Sequence, residues 1–425
     1  MANTATSIKF DGGDDFLIVE DTSIGRIGDN ENPGPFTMEA WIKVDGHGSG
    51  SAADRQGIAS RRTNAQSNST AGGWFWDIST SRMQFGGYFG SEGWLHGGDT
   101  ASHVDCDFPT DNAWHHCVVE RIGSADASHL YVLFIDGELK EVFRKDGTSG
   151  NFLRGQSSDK LAIGNNAFTN EGDTDFDGYI DEFRFSHTAR YGNIDIPTTI
   201  MKSHQVAGRG SNDIKPDDTS LLITSNSTST TSDTIVDETG TSAFTVTGAV
   251  RAQTQTYLGN TAINFDGTDD KITFTSSAFA FGTDDFSIEY WAYWETHSNW
   301  NTVVATQRGT NGFNLGTDAS ADIVWYDYTG GGNRLIEVIG GTPLQQWTHQ
   351  AWSRIDGVIY VWQDGVLQAR AATSMDYTNT VSAIGCYVSG TGATDSEFCD
   401  FNLDSMRVTK GKAIYTPHFN PYGGQ

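Results

Sequence analysis

Basic residues are scarce in this chain. Against 54 Asp and Glu stand 27 Lys and Arg, a formal net charge of −27. A nucleic-acid binder needs a basic surface to replace condensed counterions, so no nucleic-acid partner is expected. Long hydrophobic runs are missing too. With no stretch of about 18 apolar residues, no helical membrane span is expected. The opening MANTATSIKF has neither a basic n-region nor an apolar h-region, so it does not read as an export signal. Cysteine is limited to Cys106, Cys117, Cys386 and Cys399, two in each half. No Cys-x-x-Cys or His-rich cluster accompanies them, which argues against zinc. Without export the default is reduced thiols, each pair on neighbouring strands and packed as small hydrophobes. Proline is rare, and no long window shows capped helical periodicity.

What is present is turn chemistry and aromatic bulk. The 49 Gly recur with Ser, Thr, Asn and Asp between short apolar runs, and 24 Phe and 12 Trp supply core material. That punctuation predicts an all-β protein. The 425 residues suit two domains of about 200 each.

One stretch occurs twice. WHHCVVERIGSADASHLYVLFIDGEL, Trp114–Leu139, is answered by WTHQAWSRIDGVIYVWQDGVLQA, Trp347–Ala369. Each begins with Trp-x-His, crosses a polar turn, returns as an apolar strand and ends on Asp-Gly, a residue pair suited to tight hairpins. Each predicts a three-stranded antiparallel meander. Other blocks repeat in the same order. IKFDGGDDFLIV (Ile8–Val19) matches INFDGTDDKITF (Ile263–Phe274), and FTMEAWIKV (Phe36–Val44) matches FSIEYWAYW (Phe286–Trp294). LAIGNN at Leu161 matches SAIGCY at Ser382, and FDGYIDEFRFSHTARY at Phe176 matches CDFNLDSMRVTKGKAIY at Cys399. Ordered blocks of this kind indicate a duplication.

The predicted organisation is a first domain over 1–205, a linker over 206–217 and a second domain over 218–425. Longer loops are expected in the first, roughly 46–109, carrying Trp74, Trp76, Tyr88, Phe89 and Trp94. Strands are expected at TSLLITSN (from Thr219) and FTVTGAV (from Phe244), with no counterpart in the first repeat. LYVLFI, Leu130–Ile135, is apolar on both faces, so a loop, the sister domain or another chain must cover the face turned from the core.

These blocks resemble the laminin-G-like, concanavalin A-like lectin/glucanase superfamily, through FDG-x-x-D, F-[ST]-x-E-x-W, W-x-H, the Asp-Gly hairpin, x-I-G and the closing D-x-x-R. The resemblance covers nearly the whole chain, twice, and implies two tandem jelly-roll β-sandwiches. The ending LDSMRVTKGKAIYTPHFNP, Leu403–Pro421, resembles the closing segment of such domains in bacteriophage structural proteins. There a DTSLL-like strand, matched here by Asp218–Leu222, opens the next repeat.

Glucanases of this superfamily carry Glu-x-Asp-x-x-Glu on a core strand. The nearest string, EGDTDFDG (Glu171–Gly178), has Gly and Asp where an aliphatic residue and the second Glu belong, so no catalysis is expected. The same string sets Asp173, Asp175 and Asp177 at alternate positions before Gly178, a spacing that suits Ca²⁺; an acidic solvated turn is the other reading. The Asp pairs of GGDD and GTDD read as turn formers. Trp74, Trp76, Trp94, Trp300, Trp325, Tyr326 and Tyr328 are candidate glycan platforms, with core or interface as the other reading.

The resulting expectation is a non-enzymatic bacteriophage virion surface protein, assembled in the host cytoplasm. It would be a capsid decoration or fibre, or a tail fibre or appendage. Its partners would be neighbouring virion proteins, with a host-surface glycan and self-association as further candidates. The alternatives are a bacterial carbohydrate-binding or adhesion protein and a glycan hydrolase.

Overall fold

A computed structural model describes residues 7–27, 34–46, 55–62, 73–87, 103–122, 128–146, 159–165, 175–192, 216–224, 234–297, 300–329, 331–388 and 395–417. The chain divides into two compact units, Met1–Gly192 together with Pro417–Gln425, and Asn193–Thr416. Both are all-β, and among the described residues no helix is long and apolar enough to cross a membrane.

The first domain is built from β1 (Ile8–Asp11), β2 (Leu17–Val19), β3 (Phe36–Val44), β4 (Arg55–Arg62), β5 (Gly73–Ser79) and β6 (Arg82–Gly87). It continues with β7 (His103–Asp107), β8 (His115–Ile122), β9 (Ser128–Ile135), β10 (Glu138–Asp146), β11 (Leu161–Ile163) and β12 (Asp177–Ser186). Two six-stranded sheets result, ordered β1-β12-β3-β8-β9-β10 and β2-β11-β4-β5-β6-β7.

The second domain opens with β13 (Thr219–Ile223), β14 (Thr245–Thr247) and β15 (Val250–Ala252). Then follow β16 (Ala262–Asp266), β17 (Lys271–Thr275), β18 (Phe286–Trp294), β19 (Asn301–Thr306), β20 (Thr310–Thr317) and β21 (Ile323–Thr329). The last six are β22 (Gly332–Val338), β23 (Trp347–Ile355), β24 (Val358–Gln363), β25 (Val366–Ala372), β26 (Val381–Ile384) and β27 (Asp400–Lys410). The order β16-β27-β18-β23-β24-β25 repeats the first sheet of the first domain, and β17-β26-β19-β20-β21-β22 repeats its second. Three strands have no counterpart among the described residues of the first domain: β15 extends β16, β14 extends β17, and β13 pairs with β27 over Met406–Thr409. Each sandwich encloses one large apolar core.

The expected meanders are β8-β9-β10 and β23-β24-β25. Their tight turns have positive φ at both central residues, 53° and 81° at Asp136-Gly137 and 49° and 79° at Asp364-Gly365. This is the type I′ geometry whose twist matches the flanking strands. On β9, Tyr131, Leu133 and Ile135 enter the core. The opposite face is covered from within the domain. The chain leaving β12 brings Tyr191 edge-on to Phe134, ring centroids 6.1 Å apart. Tyr415 covers Trp362 with tilted rings, centroids 6.2 Å apart.

Two expectations need correction. The stretch 46–109 contains β4 to β7 as well as loops, and Trp74 and Trp76 lie on β5 rather than in a loop. The cysteine pairs are not on neighbouring strands. Cys106 on β7 and Cys117 on β8 belong to opposite sheets and meet in the core between them. Cys386 follows β26 and Cys399 precedes β27, joined by a Cys399 N–H bond to the Gly385 carbonyl of 3.0 Å. All four are free thiols. Burial pushes Cys106 and Cys386 up to about 12, and Cys117 and Cys399 well above their usual value. Such thiols are unreactive packing groups.

Candidate functional site

The repeated polar motif residues converge on one point in each domain. In the second, Glu289 on β18, His349 on β23, Arg407 on β27 and Tyr415 beyond β27 come together in full burial. Glu289 accepts hydrogen bonds from Arg407 Nε at 2.6 Å and from the Tyr415 hydroxyl, and its Oε2 lies 3.2 Å from His349 Nε2. Burial alone would push this carboxyl up. The Arg407 guanidinium, with His349 and Tyr415, outweighs it and holds Glu289 at about 2. In the first domain Glu39 meets His116 Nε2 at 3.1 Å, the Tyr191 hydroxyl at 2.5 Å, Arg184 Nε at 3.0 Å and Arg190. Burial opposes these partners there too, and they keep Glu39 below its usual value.

These clusters hold down the segment that follows the last strand. Ile414 N–H donates to Ser287 Oγ at 2.8 Å, and Ser287 in turn bonds Ser353. In the first domain Glu120 stands where Ser353 does. Its carboxylate accepts from Thr37 Oγ1 at 2.7 Å and from the N–H groups of Arg190, Tyr191 and Gly192 at 2.6, 3.0 and 2.8 Å. Burial nevertheless raises Glu120 above its usual range. The Glu289 carboxylate is wholly enclosed, so this cluster anchors a chain segment and offers no surface to a substrate.

Of the three candidate calcium ligands, only Asp175 and Asp177 lie among the described residues. Asp173 lies outside the described residues. Asp175 forms an isolated bridge with Asn165 and accepts from its side-chain amide, while Asp177 pairs across the sheet with Asp11. Carboxylates do gather at Asp11, Asp14 and Asp15, at Asp266, Asp269 and Asp270, and at Asp318, Asp322 and Glu337. The first two groups form the FDG turns. Asp11 Oδ1 accepts from Gly13 N at 3.0 Å, Asp266 Oδ1 from Thr268 N at 2.8 Å, and Asp270 Oδ2 from Asp266 N at 2.9 Å. Their donor set, all carboxylate oxygen, suits a hard divalent cation. The third group is already crossed by Arg334, which pairs with both Asp318 and Glu337.

The aromatic candidates separate by face. Trp74, Trp76 and Trp325 are fully buried in the two cores and present no ring to a ligand, which corrects their reading as platforms. Trp94 lies outside the described residues. Trp300, Tyr326 and Tyr328 remain on the outer face of the β14-β17-β26-β19-β20-β21-β22 sheet. Trp300 packs edge-on to Tyr326 at 5.7 Å, and Arg334 lies over both rings at 5.3 and 5.5 Å. Arg334 Nε also donates to the Tyr326 hydroxyl at 2.6 Å. Beside them Tyr328 meets Tyr387 at 6.1 Å, with exposed Arg308 over the Tyr328 ring at 5.7 Å. Thr302 Oγ1 donates to Glu397 at 2.6 Å nearby. Tyr328 and Tyr387 are themselves buried, so the half-buried rings of this face are Trp300 and Tyr326, set among side chains that donate and accept hydrogen bonds, the combination that holds a sugar ring. Sequence reasoning missed Arg308, Arg334, Tyr387 and Glu397, because they come from separate segments joined only by the sheet.

A laminin G-type family profile, described as the concanavalin A-like lectin/glucanases superfamily, matches residues 11–192 and 266–413. The chain therefore belongs to that superfamily, with a laminin G-like domain in each half. Among solved structures it is similar to domains LG4-5 of the mouse laminin alpha1 chain, at 12% identity and TM-score 0.29, over 94% of this chain and 88% of that one. It is also similar to domain 4 of AbnA, an extracellular arabinanase of Geobacillus stearothermophilus solved with arabinotriose, at 21% identity and TM-score 0.34, over 43% and 88%. The botulinum neurotoxin serotype D binding domain matches at 13% identity and TM-score 0.36, over 46% and 49%. Likenesses this distant carry no argument about ligand or partner. No curated protein matches the sequence significantly.

Proposed function

We propose that the protein is a non-enzymatic binding component of a bacteriophage particle surface, a capsid decoration or tail appendage. In this reading its second domain contacts a glycan of the host surface. The observation that carries the binding role is the outer aromatic face of that domain, where Arg334 lies over the edge-on pair Trp300 and Tyr326. The virion assignment rests on the closing segment Leu403–Pro421 and on fold analogy. The absence of catalysis rests on Glu289 and Glu39 being committed to the buried anchors. The all-carboxylate donor sets of the Asp11 and Asp266 turns support a divalent-cation reading, with calcium favoured by its preference for carboxylate oxygen.

Three measurements test this reading. Glycan-array binding by the whole chain is expected to fall about tenfold in Trp300→Ala, the loss of one stacked ring. Antibodies raised against the protein are expected to label intact particles. Release of reducing sugar from bacterial polysaccharide by the pure protein would overturn the non-enzymatic reading.

A further inference from the structure

The Trp that opens the repeated Trp-x-His motif takes no part in the buried anchors, which use the His two positions on. In both domains it is half-buried, Trp114 just ahead of β8 and Trp347 at the start of β23. Each meets an aromatic ring of the same sheet, Trp114 with Tyr179 at 6.2 Å and Trp347 with Tyr293 at 5.6 Å. Around this shared position the two domains differ in charge. In the first, Lys9 on β1 pairs in register with Tyr179 on β12, and Tyr179 with Lys43 on β3. The two ammonium groups lie 5.6 and 5.2 Å from the centre of the Tyr179 ring. In the second, the same register holds Asn264, Asn402 and Tyr293, none of them charged. Lys9 is exposed, and Lys43 and Tyr179 are half-buried.

We infer that this row of the first domain, Lys9, Tyr179 and Lys43 with Trp114 beside it, binds an acidic polysaccharide. Neighbouring strands are about 4.8 Å apart, so the two lysines stand about 10 Å apart with the ring between them, and one sugar chain reaches both. The ammonium groups attract its acid groups, and the rings offer apolar faces to its sugar rings. Charge alone would suit any polyanion, and rings alone any sugar; the row joins the two. Carboxylates border it. Asp45 lies 3.7 Å from Lys43 Nζ, Asp11 stands opposite Asp177 in one flanking row, and Asp181 stands opposite Trp41 in the other. Asp11 and Asp181 each already accept a backbone N–H, from Gly13 and Glu182. These acids confine the favourable potential to the row itself, which fits a narrow chain laid across the strands and excludes a broad polyanion. The net charge of −27 does not prevent binding, because at physiological salt charges beyond about 8 Å are largely screened.

The test uses the full chain carrying Trp300→Ala, in which the second domain's aromatic face is disabled. The probe is immobilised polygalacturonate, with chelator present so that no cation bridges polymer and protein carboxylates. Interferometry is expected to show saturable binding that weakens severalfold as salt rises from about 0.05 M to about 0.5 M. The methyl-esterified polymer has the same sugars without the charge and is expected to bind about tenfold more weakly. Lys9→Gln with Lys43→Gln is expected to lose about as much on the parent polymer, whereas Lys9→Arg with Lys43→Arg retains binding. Trp114→Ala is expected to weaken binding about tenfold without changing its salt dependence. All these side chains reach the surface, and circular dichroism checks that each variant folds. Absence of binding, equal binding of the ester, or indifference to the double Gln substitution would overturn the inference. Equal retention on polyglutamate would do so too, by showing attraction to charge alone. The row shares neither sheet nor domain with Trp300, so failure of that face on the glycan array leaves this measurement unaffected, and the reverse.

Discussion

The first and second domains have the same sheet order and the same Glu-His-Arg-Tyr anchor, but they are not equally finished. In the second, β13 covers the Arg407 side of the anchor, so guanidinium and carboxylate meet without water. In the first, Arg184 is solvent-exposed, and Glu39 recruits Arg190 from the following segment as well. One anchor thus serves two different electrostatic settings. Glu, His, Arg and Tyr are common to both, so the differing exposure of the shared Arg goes with the neighbouring strand, and Arg190 is an addition of the first domain. A salt bridge is strong or weak according to what excludes water from it.

The largest effect expected from breaking this comparison is at that pair. Arg407→Leu leaves Glu289 charged and buried, which costs about 3–5 kcal/mol. Arg184→Leu removes an exposed partner while Arg190 remains, which costs about 1 kcal/mol or less. Hydrogen exchange by mass spectrometry, read on peptides of each domain, separates the two outcomes. Similar losses in both would refute the role given to β13.

The sheet edges give the next contrast. Ile272→Ala removes a fully enclosed side chain and is expected to cost about 2–4 kcal/mol. Leu17→Ala, at the matching position on β2, where the side chain is exposed, is expected to change stability by no more than about 0.5 kcal/mol. Denaturant midpoints of the two variants measure the difference. A costly Leu17→Ala would mean that the edge is already covered.

Acid sharpens the comparison further. Glu289 sits at about 2 in the folded protein, below its unfolded value near 4.5. Its contribution is therefore present above the unfolded value and is lost as pH falls towards 2. By pH 3 the loss is roughly 2 kcal/mol. In the first domain Glu39 acts in the same direction, but the pKa of Glu120 is raised. A carboxyl raised on folding favours the folded state as pH falls, so it offsets Glu39. Exchange measured from pH 5 to pH 3 is expected to show the second domain opening first. Glu289→Gln is expected to flatten that response.

The smallest effect concerns cations and is shared by both domains. Calcium at about ten times its dissociation constant is expected to stabilise each by about 1.4 kcal/mol. A chelator is expected to remove the gain, as are Asp14→Asn in the first domain and Asp269→Asn in the second. Melting curves unchanged by calcium and chelator would withdraw the metal from both turns.

The sequence by itself determined the duplication, the strand punctuation and the hairpin turns. Asp-Gly and the alternation of apolar residues act over a few neighbouring positions, so they are legible in one dimension. The motif letters also located Glu39, Glu289, His116, His349, Arg184 and Arg407, though not their purpose. That purpose needed the sheet, which brings residues more than a hundred positions apart within hydrogen-bonding distance around one enclosed point. Which aromatics face outward was likewise decided only in three dimensions. Trp74, Trp76 and Trp325 differ from Trp300 and Tyr326 in what lies across the sheet from them, and no local pattern records that. The exposed Ile8 of β1 and Leu17 of β2, whose counterparts Ile263 and Ile272 are buried, are the clearest case. Burial of Ile8 or Leu17 depends on whether another strand lies alongside, a property of the neighbouring chain rather than of the residue.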